Sequence, residues 1–184
     1  MFQRLENVWW RTTQRAAFAV FLLLSILLMG CAARLSPDYD KVTFASLSDL
    51  NVKTETLFAS LSSGGSAQSF PNFQATYATL IGGFSAALVT TSNRQTPALS
   101  AKLLASPQLK ALCGGEPESC VNPTPDHLEK VITLLTQMRN THQRGKLSGE
   151  LVAGFNGAGG FKGQYEIEMG RVLFFEQALQ RSET

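Results

Sequence analysis

From Ala16 to Met29 the chain reads AAFAVFLLLSILLM, fourteen residues without a charge, preceded by Arg4, Arg11 and Arg15. No other feature restricts the fold as much, because a segment this apolar must enter a membrane, enter a core or be removed. At about 1.5 Å per residue a helix of that length covers roughly 21 Å, short of the roughly 30 Å hydrocarbon core of a bilayer. A basic stretch followed by a short apolar run has the make-up of an export signal, which leaves the folding to the residues beyond it.

The run closes on Leu28-Met29-Gly30-Cys31. These residues resemble the lipobox of bacterial lipoprotein precursors, with Leu three positions before the cysteine, a tolerant position next, and a small residue immediately before it. The resemblance implies cleavage between Gly30 and Cys31, a diacylglycerol on the Cys31 sulfur, and acylation of the freed amino group. Asp after the cysteine commonly retains such proteins in the inner membrane. Ala32 stands there instead, which implies the outer membrane, with the domain facing the periplasm. Each buried methylene contributes about 0.8 kcal/mol, so two or three acyl chains hold the protein on the bilayer. The rival reading of the same residues is an ordinary signal peptide, or an uncleaved anchor, with an unrelated cysteine.

The expected organisation is therefore a signal peptide over 1–30, a lipidated tether over 31–36 and one helical domain over 37–184. Removing 1–30 leaves 154 residues, enough for one core. Three of the 16 basic residues and one of the 14 acidic ones, Glu6, lie in the removed part, so 13 of each remain. A formally neutral chain without a basic cluster offers nothing to nucleic acid. With Cys31 assigned to lipid, Cys113 and Cys120 are left as an even pair around Gly-Gly-Glu-Pro-Glu-Ser. In an oxidising compartment that pair predicts a disulfide.

The pattern beyond Cys31 is helical. Ser36 can cap a first helix with Pro37 in its opening turn, Asp38 and Asp40 near its positive end, and a stripe running from Val42 to Leu61. Ser62 to Ser66 ends it. A second helix follows Phe70-Pro71 with Phe73, Tyr77, Leu80, Phe84 and Leu88 on one side, and its adjacent Gly82 and Gly83 suggest a close crossing. Thr96-Pro97 reads as the start of a shorter helix carrying Leu99, Leu103, Leu104, Leu109 and Leu112, kinked or divided at Pro107. Thr124-Pro125-Asp126 repeats that start, with Thr124 as cap, a stripe of Leu128, Val131, Ile132, Leu135 and Met138, and Gly145 as the stop. Leu147 to Phe155 could hold a further short helix before the glycine-rich run 154–163. A last helix from Gln164 carries Tyr165, Met169, Val172, Leu173, Phe175 and Leu179, and ends at Arg181. No sustained strand alternation is present. The predicted fold is all-α, an up-and-down bundle of four to five helices.

No catalytic residue, cofactor or metal is assigned. Gly154 and Gly159 have the spacing of a phosphate loop, but Gly160 stands where lysine is required. Neither histidine follows a glutamate by three residues, and Asp126, His127 and Glu129 suit a first helical turn better than a metal. No Gly-x-Ser-x-Gly elbow occurs, and Ser100-Ala101-Lys102 is one residue too short for Ser-x-x-Lys. Phe174 and Phe175 are neighbours, about 100 degrees apart on a helix, so both cannot sit at the centre of one stripe. If one is exposed, Phe174, Phe175 and Arg171, with Glu176 at the rim, form a possible contact surface. The functional expectation is a non-enzymatic envelope module whose partners are the bilayer, through acylated Cys31, and another envelope protein. The alternative is a periplasmic bundle holding a small apolar ligand, with Gly82 and Gly83 beside its cavity.

Overall fold

The computed structural model describes residues 36–98, 100, 104–113, 120–155 and 159–181. The export segment expected over 1–30, the lipidation expected at Cys31 and the expected tether up to residue 35 lie outside them, as do Leu99 and Leu103.

Four long helices make the body: α1 (Lys41–Ser60), α2 (Phe70–Ser92), α4 (Thr124–Gln143) and α6 (Gly160–Arg181). Two short ones, α3 (Pro107–Leu112) and α5 (Gly149–Ala153), lie in the connections. Helix α1 packs on α2 and α6, and α4 packs on the same two, so the four close a ring. Partners from opposite halves of the helices meet: Lys162, early in α6, reaches Glu55 in the second half of α1, and Thr124, first in α4, reaches Glu176, late in α6. Neighbouring helices are thus antiparallel, the up-and-down arrangement expected.

Local chemistry explains most of the ends. Helix α1 is capped by Asp40 rather than Ser36. Its carboxylate accepts the N–H groups of Val42 (2.9 Å) and Thr43 (3.3 Å), and also the Thr43 hydroxyl (2.6 Å). Three donors outweigh what Ser36 could offer with Pro37 behind it, so the helix begins four residues later than the sequence suggested. The Thr43 hydroxyl first, then the backbone donors, hold the Asp40 carboxyl below its ordinary 3.8. Thr96 and Pro97 are not helical, and at Pro107 the expected break is a division and not a kink: Leu104 is helical, and α3 opens afresh at Pro107, which places the ring where no N–H is required. Gly145, with φ +68°, closes α4 by donating to the His142 carbonyl. Helix α6 begins at Gly160, not Gln164. At Gly160 φ is +62°, and a Cβ would press on the Val152 carbonyl, so the turn into α6 admits only glycine without strain.

One element has no counterpart in the sequence reading. Gly64–Gly65 (β1) and Leu147–Ser148 (β2) pair antiparallel, Gly64 with Ser148 and Gly65 with Leu147. Two residues per strand leave no periodicity to detect. Ser148 then caps α5 by accepting from the Leu151 N–H.

The core is a single cluster inside the ring, with Leu47 and Phe58 of α1, Tyr77 and Phe84 of α2, Leu128 and Leu135 of α4, and Tyr165 and Met169 of α6 all buried. The glycine pair behaves as two separate residues. A Cβ at Gly83 would strike Leu50 of α1, marking a close crossing, whereas Gly82 is exposed and faces open space. Cys113 and Cys120 form the disulfide, seven residues apart. Closing that loop stabilises the fold by about 2.5 kcal/mol on the chain-entropy model, so a Cys113→Ser/Cys120→Ser variant is expected to show that loss in urea denaturation.

Candidate functional site

Two polar clusters and one apolar face stand out against this frame. At the end of the bundle where α2 stops and α4 starts, Glu176 of α6 is fully buried. Arg94 grips it with two parallel bonds of 2.9 Å, and the Thr124 hydroxyl donates to it at 2.7 Å. Asn122 donates to the Thr91 carbonyl beside them at 2.8 Å. This corrects two expectations. Thr124 does not cap α4, because its hydroxyl serves Glu176, and Glu176 does not rim a surface, because it points inward one turn after Val172. Arg94 Nε and Asn122 Oδ1 are buried without a hydrogen-bond partner among the described residues.

At the opposite end His142, with no exposed surface, is enclosed by the rings of Phe70, Phe73 and Tyr77. Its Nε2 lies 2.9 Å from the Ser69 hydroxyl and its Nδ1 3.4 Å from the Tyr77 hydroxyl. A serine beside a histidine invites a comparison with hydrolases. The arrangement is instead a structural joint: the Ser69 hydroxyl donates to the Ser66 carbonyl at 2.9 Å, and Gly65 lies so close to the imidazole that a Cβ there would collide with it. No substrate could approach that nitrogen.

Burial pushes the His142 pKa below its ordinary 6.5, opposed by a hydrogen bond to the Ser66 carbonyl. Above about pH 7.5 neither folded nor unfolded chain carries the proton, so this group has no effect. As pH falls through 6.5 the unfolded chain takes a proton that the folded chain refuses, and stability declines until the folded pKa is reached. Urea midpoints measured between about pH 7.5 and 5 are expected to fall more steeply for the parent than for His142→Phe, and equal slopes would contradict this.

The third feature is the outer side of α6. Phe174 is 74% exposed and Ile167 57%, whereas Phe175 is half-buried. The two neighbouring phenylalanines are therefore divided as their angular separation requires, and Phe174 is the outward one. Arg171 lies between Ile167 and Phe174 in sequence, with its guanidinium 3.8 Å from Glu168. Glu168 also takes His127 of α4 at 2.5 Å and stands 3.7 Å from Lys130. Beside this cluster a cleft of about 640 Å³ opens between α4 and α6, with Asp126, Glu129, Lys130, Gln137, Gln164 and Ile167 among its walls. It is open to solvent, so it suits a contact better than an enclosed ligand.

Among the described residues, no group of three or more His, Cys, Asp or Glu could hold a metal ion, and no helix is long and apolar enough to cross a membrane. Compared with known protein families, curated proteins and solved structures, the chain matches none. The contact surface named from sequence is thus gathered in part: Phe174 and Arg171 share the outer side, Phe175 half turns inward and Glu176 leaves it. Sequence reasoning missed Ile167 and the cleft. The missing signal was the spacing of seven between Ile167 and Phe174, which repeats one helical face.

Proposed function

We propose that this chain is a bacterial envelope lipoprotein, held on the membrane through acylated Cys31, whose helical domain acts as a non-enzymatic protein-contact module through the outer side of α6. The observation that carries the contact reading is the pair of large apolar side chains, Ile167 and Phe174, left in water on one face while the opposite face of the same helix fills the core. Removing both from solvent is worth roughly 1.5–3 kcal/mol each, which a partner would recover. The anchor reading is supported by the basic stretch, the apolar run and the lipobox-like residues in the right order. The envelope assignment follows from it, and a disulfide between Cys113 and Cys120 suits an oxidising compartment.

Two experiments test the two halves. Cys31→Ser is expected to abolish acylation and release the protein from the membrane fraction, and continued membrane retention without lipid would overturn the anchor. A photocrosslinking amino acid placed at Phe174 in the membrane-bound protein is expected to give a discrete protein adduct, absent when the probe replaces solvent-facing Gln74 of α2. No adduct at Phe174 under several growth conditions would overturn the contact reading. The rival ligand-carrier reading draws no help from the paired glycines, since Gly82 faces solvent and Gly83 backs onto Leu50.

A further inference from the structure

We propose that the partner of the α6 face is a second copy of this chain, seated antiparallel about a two-fold axis, with Ile167 against the other copy's Gly170 and Phe174 against its Gly163. This names the occupant of the face described above and rests on that contact reading.

Helix α6 carries two seams. The inner one, Tyr165, Met169, Val172 and Glu176, steps by four, three and four residues and is buried. Directly opposite, Gly163, Ile167, Gly170 and Phe174 step the same way; Ile167, Gly170 and Phe174 are exposed, and Gly163 is half-buried with space for a side chain beside it. A stripe that returns every 3.5 residues is the pattern of a helix pair. Among the described residues nothing requires these two glycines: a Cβ at Gly163 or Gly170 would meet no atom within 4 Å. Each nonetheless costs the helix up to about 1 kcal/mol relative to alanine. A second helix approaching closely supplies the missing reason, because each glycine leaves a hollow the size of a side chain beside a protruding Ile or Phe.

The direction follows from the alternation. A parallel pair would set Phe174 on Phe174 and Gly170 on Gly170, so crowded and empty layers would alternate along the seam. An antiparallel pair puts one large residue and one glycine in every layer. Both layers share one midpoint, between Glu168 and Met169, so a single axis satisfies them. On the flank Arg171 falls within one turn of the second copy's Gln164, which offers an amide oxygen. The area is modest. Four side chains of roughly 150–250 Å² each, more than half exposed, supply on the order of 500 Å², below the roughly 1,200 Å² of a standard stable interface. Pairing is therefore expected where a shared membrane raises the effective concentration.

The test uses the full-length membrane-bound protein. Under mild oxidation, Gly163→Cys combined with Phe174→Cys is expected to form a covalent dimer. Phe174→Cys alone is not, because the two copies of that position lie eleven residues apart along the axis, about 16 Å. Gly170→Leu, on an exposed helix surface, should leave the melting temperature no lower while cutting the dimer yield at least ten-fold. Crosslinking of Phe174→Cys alone, absence of dimer in the double variant, or full yield with Gly170→Leu would each overturn the pairing. A Phe174 photoadduct with a different protein, together with no disulfide dimer, would overturn this inference and leave the contact reading standing.

Discussion

Glu176→Ala is expected to lower the unfolding free energy by about 3–5 kcal/mol, measured by urea denaturation near neutral pH. Removing the carboxylate leaves the Arg94 guanidinium, whose side chain is only 9% exposed, without its two bonds and without water to replace them. It also strands the Thr124 hydroxyl at the start of α4. A domain of this size has about 5–15 kcal/mol in total, so the loss would remove a large share of it. The opposite substitution separates the unpaired charge from lost packing. Arg94→Met with Glu176→Leu removes both charges and is expected to recover most of the stability, since an ion pair taken from water gives back much of its attraction as desolvation. A double variant as unstable as Glu176→Ala would mean that the pair itself, and not the orphaned charge, holds this end together.

The second large effect belongs to the middle of the bundle. Tyr165→Ala is expected to cost about 3–5 kcal/mol, because a fully buried ring is replaced by a cavity that the neighbours fill only in part. Its ring lies 5.3 Å from that of Phe58 and 6.3 Å from that of Phe84, so three helices lose a shared contact at once. Tyr165→Phe keeps the ring and loses only the hydroxyl with its bonds to Asn51 and Thr54, for which about 1 kcal/mol is expected. Comparable losses for the two variants would show that the hydroxyl, pushed above its ordinary pKa by burial, matters more than the ring.

The legible parts of this fold are those in which a residue's neighbours in sequence are its neighbours in space. Helix α4 could be read almost to the residue, because Pro125 in its opening turn, the stripe from Leu128 to Met138 and Gly145 at its exit all lie within one element. The disulfide was legible for a similar reason, two cysteines only seven residues apart in the chain. Glu176 was misread because the residue that fixes it, Arg94, lies 82 positions away. No local pattern distinguishes a glutamate that will be solvated from one that a distant guanidinium will draw inside. The α6 face was half legible: the adjacency of Phe174 and Phe175 required one of them to leave the stripe, but which one depended on where α1 and α4 came to rest.

What the sequence determined by itself is the helical class and the order of the long helices, because periodicity and caps act over a few residues. What tertiary structure alone decided is which polar groups are buried, where β1 meets β2, and which side of α6 is left in water. Those outcomes depend on surfaces brought together from far apart in the chain, and their energies exist only once the bundle has closed.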